Sequence, residues 1–124
     1  MTTPRRQTAE AFSGHRFRDA YDALAPDVRW TSVGQGTVTG RQAVIDSCEA
    51  TLAELASTTV EFTRFVVVAD DGAAAVDVVG RYVDADGQVS VVSSCDVYEF
   101  TDGLLTTLTS YAVELDPAAA ADRP

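Results

Sequence analysis

Apolar and polar residues alternate with a period of two through the second half of the chain. The stretches are TTVEFTRFVVVA (58–69), AAAVDVVGRYV (73–83), QVSVVSSCDVYEF (88–100) and LLTTLTSYAVEL (104–115). All four are rich in β-branched and aromatic residues, and they are separated by Asp-Gly turns at DDG (70–72), DADG (84–87) and TDG (101–103). Asp-Gly between apolar runs is a strong hairpin signal, so the pattern predicts an antiparallel meander of four long strands.

The first half of the chain carries a different period. Val44, Ile45, Cys48, Leu52 and Leu55 recur at helical spacing after Gly40, which predicts a helix through GRQAVIDSCEATLAELA. Thr8–Phe12 and Phe17–Leu24 read as two shorter helices broken at Ser13-Gly14-His15, the second stopped by Pro26. VRWTSVG (28–34) alternates and turns at Gly34 and Gly36, giving a short strand and hairpin. Helices followed by a curved meander make an α+β layout: a cone-shaped antiparallel sheet wrapped around a pocket that the N-terminal helices close. A single domain over residues 1–115 is expected, with 116–124 as a flexible tail.

Composition narrows the function. The formal charge is −10, and all nine basic residues are arginine. That balance argues against nucleic acid, which calls for a basic patch, and against an anionic membrane surface. No apolar stretch is long enough to span a bilayer, and no apolar segment follows Arg5 and Arg6 as in a secretory signal, so a cytoplasmic location is expected. Cys48 and Cys95 read as two small thiols in a reducing compartment, with a disulfide as the alternative. No metal-ligand spacing stands out, and no cofactor is expected. His15, between two helices, reads as a solvated surface residue.

ALAPDVRW (23–30), VTGRQAVI (38–45) and CDVYEFTDGLLTTLTSY (95–111), in that order, resemble the nuclear transport factor 2-like superfamily, and within it the SnoaL-like branch, over roughly residues 8–115. The resemblance implies the cystatin-like α+β barrel, a cone that hosts isomerases, epoxide hydrolases, cyclases, dehydratases and binders alike. In ketosteroid isomerase, a relative, Asp96 matches the oxyanion-hole acid, whereas Ser32 stands at the base and Thr8 near the tyrosine. In limonene epoxide hydrolase, Asp77 matches the first catalytic aspartate, while Ala75 replaces the arginine and Ser110 the second aspartate. The superfamily also implies a homodimer through the outer sheet face, for which TTVEFTRFVVV is apolar enough at alternate positions.

Strand parity supplies the candidate site. With Asp96 inward, Ser94, Tyr98 and Phe100 share its face. Ala75, Asp77, Val79 and Arg81 are expected to join from the neighbouring strand, with Trp30 and Ser32 from the first and Leu108, Ser110 and Ala112 from the last. Asp96, Asp77 and Arg81 are then the candidate catalytic set, and Trp30, Ser32, Val79, Ser94, Tyr98 and Ser110 the candidate ligand-binding set. Asp96 is either an acid in an apolar pocket or a carboxylate paired with Arg81 or capped by Ser94 and backbone amides. Asp77 is either inward or on the surface, and Arg81 either binds an anionic group or neutralises an aspartate. The expected function is binding of a small, largely apolar metabolite, with cofactor-independent acid–base chemistry of the isomerase, cyclase or epoxide hydrolase type. A non-catalytic binder or a dimeric interaction module is the alternative.

Overall fold

The computed structural model describes residues 3–118. Its elements are α1 (Arg5–Ser13), a 3-10 helix (Phe17–Ala23), β1 (Leu24–Ser32), β2 (Gly36–Thr39), α2 (Arg41–Glu54), β3 (Thr59–Ala69), β4 (Ala73–Val83), β5 (Val89–Thr101) and β6 (Leu104–Leu115). The six strands form one sheet in the order β2-β1-β6-β5-β4-β3. The expected meander is present as β3 to β6, antiparallel throughout. The sheet is nonetheless mixed rather than purely antiparallel, because β1 runs parallel to β6. It is also open: β2 and β3 are its two edges.

The expected helices are present with shifted ends. α1 begins at Arg5, because Pro4 supplies an extended residue just ahead of the first turn. The second helix is a 3-10 helix ending at Ala23, and β1 starts before Pro26 instead of after it. A register irregularity in the β1–β6 pairing between Leu24 and Arg29 accommodates the proline, which is exposed and has no N–H to offer. α2 covers Arg41–Glu54 after Gly40, whose φ of 98° suits glycine. Residues 119–124 of the expected tail lie outside the described residues.

The core sits between the concave face of the sheet and the helices. Phe12 and Ala9 of α1, Phe17 and Ala20 of the 3-10 helix, and Val44 and Cys48 of α2 pack with Val76, Tyr98, Leu105 and Leu108 of the sheet. Phe12 is the hub, with edge-on contacts to Phe17 (4.9 Å), Trp30 (5.1 Å) and Tyr98 (6.2 Å). Outside the core, Arg18 and Tyr21 tie the 3-10 helix to α2 through Glu49, at 2.7 Å and 2.6 Å. Both cysteines are free thiols, Cys48 buried and Cys95 half-buried. Among the described residues, no helix is long and apolar enough to cross a membrane.

The register of β4 on β5 decides which residues meet. Val83 pairs with Val89 across a five-residue loop, so even-numbered residues of β4 lie opposite even-numbered residues of β5. Asp96 therefore pairs with Val76, while Asp77 pairs with Cys95. The expectation that Asp77, Val79 and Arg81 share a face with Asp96 is thus corrected: all three lie on the convex side.

Candidate functional site

The concave face holds a cavity of about 230 Å³. Phe12, Phe17, Trp30, Phe62 and Val78 form most of its apolar wall. Asp96, Ser94 and Ser110 reach it from β5 and β6, and Ser13, His15 and Tyr82 complete its polar part. Apolar walls with a few convergent polar groups are the ordinary make-up of a small-molecule site.

Asp96 is anchored by Ser13, the last residue of α1, whose hydroxyl donates to Oδ2 at 2.7 Å. Ser13 also contacts the hydroxyl of Tyr98 at 2.5 Å. Tyr98 is fully buried, and burial pushes its phenol well above the ordinary tyrosine value, with the charge of Asp96 adding to the rise. It therefore stays protonated and serves as part of the polar anchor beneath the cavity, while its ring belongs to the core. Trp30, which lines the cavity, donates its indole N–H to Ser110 Oγ at 3.0 Å.

The other end of the polar strip is His15, with Nε2 2.8 Å from the Tyr82 hydroxyl. His15 sits at a φ of 61°, a left-handed conformation that a non-glycine residue adopts only when its surroundings hold it there. The rings of Phe17, Phe62 and Tyr82 lie within 6 Å of the imidazole. Burial lowers its pKa below the usual 6.5, and Asp96 opposes that shift only in part, so the neutral imidazole is the resting form. Its Nδ1 is buried without a hydrogen-bond partner. Tyr82 reaches His15 because Gly80 lies under its ring: a Cβ at Gly80 would come 2.8 Å from a Tyr82 ring carbon. Burial, followed by the charge of Asp96, raises the Tyr82 phenol.

The sequence-derived candidates therefore divide. Asp96, Trp30, Ser94 and Ser110 line the cavity. Tyr98 shares their face but is buried behind it, and Ser32 shares the face beyond the cavity, paired with Ser110 near the end of β1. Asp77 instead accepts a hydrogen bond from Arg64 Nε at 2.8 Å on the convex side. Val79 is buried on that side, and Arg81 is exposed there. The relocated Asp77–Arg81–Asp96 set does not assemble.

His15, Tyr82 and Ser13 were absent from the sequence-derived site. For Tyr82 half of the signal was available: its parity with Gly80 and Val78 is readable, but the face they share depends on the length of the loop after Val83. For His15 the expected solvated position is corrected: the turn after α1 folds inward and its imidazole lines the cavity.

The SnoaL-like domain family matches residues 5–108. A nuclear transport factor 2-like protein of unknown function from Cytophaga hutchinsonii is 29% identical, with a TM-score of 0.76 over 86% of this chain and 94% of that one. A candidate polyketide cyclase from Xanthomonas campestris is 25% identical, with a TM-score of 0.64 over 86% of this chain and 90% of that one. A candidate isomerase from Rhodopseudomonas palustris, 20% identical, shares the fold with a TM-score of 0.66 over 92% and 95% of the two chains. No curated protein matches the sequence. With the match covering most of its length and the fold agreeing, the chain belongs to the SnoaL-like domain family.

Proposed function

We propose that this protein binds a small, largely apolar metabolite in the concave cavity and acts on it by cofactor-independent acid–base chemistry. The observation that carries the reading is the pairing of Asp96, held by Ser13, with a neutral His15 in one largely apolar cavity. The Asp96 carboxylate can take a proton from one position of a substrate and return it at another, with the hydrogen-bonded His15–Tyr82 pair as its polar partner across the cavity. Tyr82 and Ser94 are positioned as hydrogen-bond donors to an oxygen on the substrate. Isomerisation, cyclisation and epoxide hydrolysis each need a positioned acid and base. The likeness to the candidate cyclase at 25% identity supports the cyclase member of that set.

A screen of small apolar metabolites by thermal shift tests the binding half. Hits should raise the melting temperature of the wild type and lose that effect in Ala112→Trp, which fills the cavity wall. For the chemical half, Asp96→Asn should lower turnover at saturating substrate about a hundredfold or more, the range expected for a lost general acid or base. Binding without turnover in the wild type would instead support the non-catalytic reading, which the location of Asp77 and Arg81 outside the cavity favours.

The homodimer belongs to the same proposal. Val66, Val68, Tyr111 and Val113 leave an exposed apolar band on the convex face, suited to a second copy of the chain. Two free thiols suit the reducing cytoplasm.

A further inference from the structure

The cavity has an electrostatic character that the proposed function does not use. Among its lining residues there is one carboxylate, Asp96, and no arginine; the chain contains no lysine. Arg81, the cation nearest along the adjoining strand, projects from the opposite face. Asp96 accepts a single hydrogen bond from the described residues, from the neutral Ser13, and only through Oδ2. The histidine beside it is held in its neutral form by burial.

Five phenyl, phenol or indole rings line the same cavity, those of Phe12, Phe17, Trp30, Phe62 and Tyr82. A carboxylate in such a setting has no protein cation facing it from the cavity wall. The ring faces carry partial negative charge and attract cations while doing nothing for anions. Both features favour the same kind of occupant.

We infer that the cavity takes a small organic cation, an alkylammonium with an apolar body, whose N–H group bonds Asp96 while the aromatic rings surround its carbon frame. The inference rests on the reading of this cavity as the binding site and adds the charge of what fills it. It also implies that anionic ligands, carboxylates among them, are disfavoured there.

Trp30 is the only tryptophan in the chain and lines the cavity, so its emission reports occupancy directly. Three non-absorbing probes of nearly equal shape separate the outcomes: cyclohexylmethylammonium, cyclohexylmethanol and cyclohexanecarboxylate, titrated at neutral pH. High salt screens the general attraction of a protein of charge −10 for any cation. The ammonium should bind about tenfold or more tightly than the alcohol, the carboxylate should not bind detectably, and Asp96→Asn should abolish the advantage of the ammonium. Equal or tighter binding of the alcohol or the carboxylate overturns the charge inference while leaving the cavity as a binding site. An ammonium preference that survives in Asp96→Asn overturns it too. If no probe alters Trp30 emission, the cavity reading falls along with it. The wild-type comparison decides the matter even if the variant fails to fold.

Discussion

His15 is held in place by one side-chain hydrogen bond, between its Nε2 and the Tyr82 hydroxyl, and by packing. Its backbone is left-handed, its Nδ1 has no partner, and its ring is packed among Phe17, Phe62 and Tyr82. Because its folded pKa is depressed below 6.5, the unfolded chain takes up a proton there before the folded chain does. Its contribution to stability is therefore complete above about pH 6.5 and is lost as the pH falls below that value. The melting temperature should decline between pH 7 and 5 in the wild type. In His15→Asn, which tolerates the left-handed backbone, that decline should vanish. Gly80→Ala makes a separate test of the same corner. The added Cβ displaces the Tyr82 ring, a flexible group, so stability should drop by only about 1 kcal/mol. With its neighbour gone, the single histidine should titrate closer to 6.5, which NMR of its ring protons reads without assignment. Little of this corner was legible in the sequence. Nothing in Ser13-Gly14-His15 distinguishes a turn that folds inward from one that faces water, since two of the three rings packed on the imidazole come from β3 and β4, more than forty residues away.

At the level of elements, α1 is the piece that makes a pocket out of a sheet. Ser13 at its end anchors Asp96, and Phe12 one residue earlier touches Phe17, Trp30 and Tyr98. Phe12→Ala should cost about 3–5 kcal/mol in chemical denaturation, the usual loss for a large buried aromatic side chain, and should shift Trp30 emission as the wall opens. The elements themselves were largely readable. The strand-period runs and Asp-Gly turns identified β3 to β6, and the apolar spacing from Val44 to Leu52 identified α2, because both signals are local. The pairing of strands is not local. Whether Asp77 or Val76 lies opposite Asp96 depends on whether the loop after Val83 uses an even or an odd number of residues, and the five-residue connection puts Asp77 outside. The DADG signal announced a turn without fixing that count. The parallel seating of β1 on β6 escaped notice for a related reason: the two strands are joined only through everything between them in the sequence.

The molecule as a whole has two unlike faces on one sheet. The concave side is covered by helices and shaped into a cavity, whereas the convex side keeps Val66 (42%), Val68 (68%), Tyr111 (51%) and Val113 (62%) open to water. Among these, Tyr111 on β6 and Val66 on β3 lie in one row across the sheet, linked through Cys95 and Asp77 by the strand register. Arg64 and Asp77 sit within that band as an ion pair at 2.8 Å, half-buried, giving it a polar point amid the apolar residues. Exposed apolar area of this kind is costly for a free surface and is relieved when a second copy covers it. The row is also distant in connectivity from the cavity, since its side chains leave the sheet on the opposite side from Asp96. Oligomeric state and cavity function should therefore separate under mutation. The wild type should sediment as a dimer, and Tyr111→Asp with Val113→Asp should sediment as a monomer, because two carboxylates at the centre of an apolar contact cannot be desolvated without a counter-charge. The same double variant should keep its fold by circular dichroism and bind the ammonium probe with an affinity within a few fold of the wild type. A wild type that remains monomeric at high concentration would remove the dimer. A monomeric variant that loses probe binding would mean that the convex contact sets the curvature of the sheet, and with it the shape of the cavity.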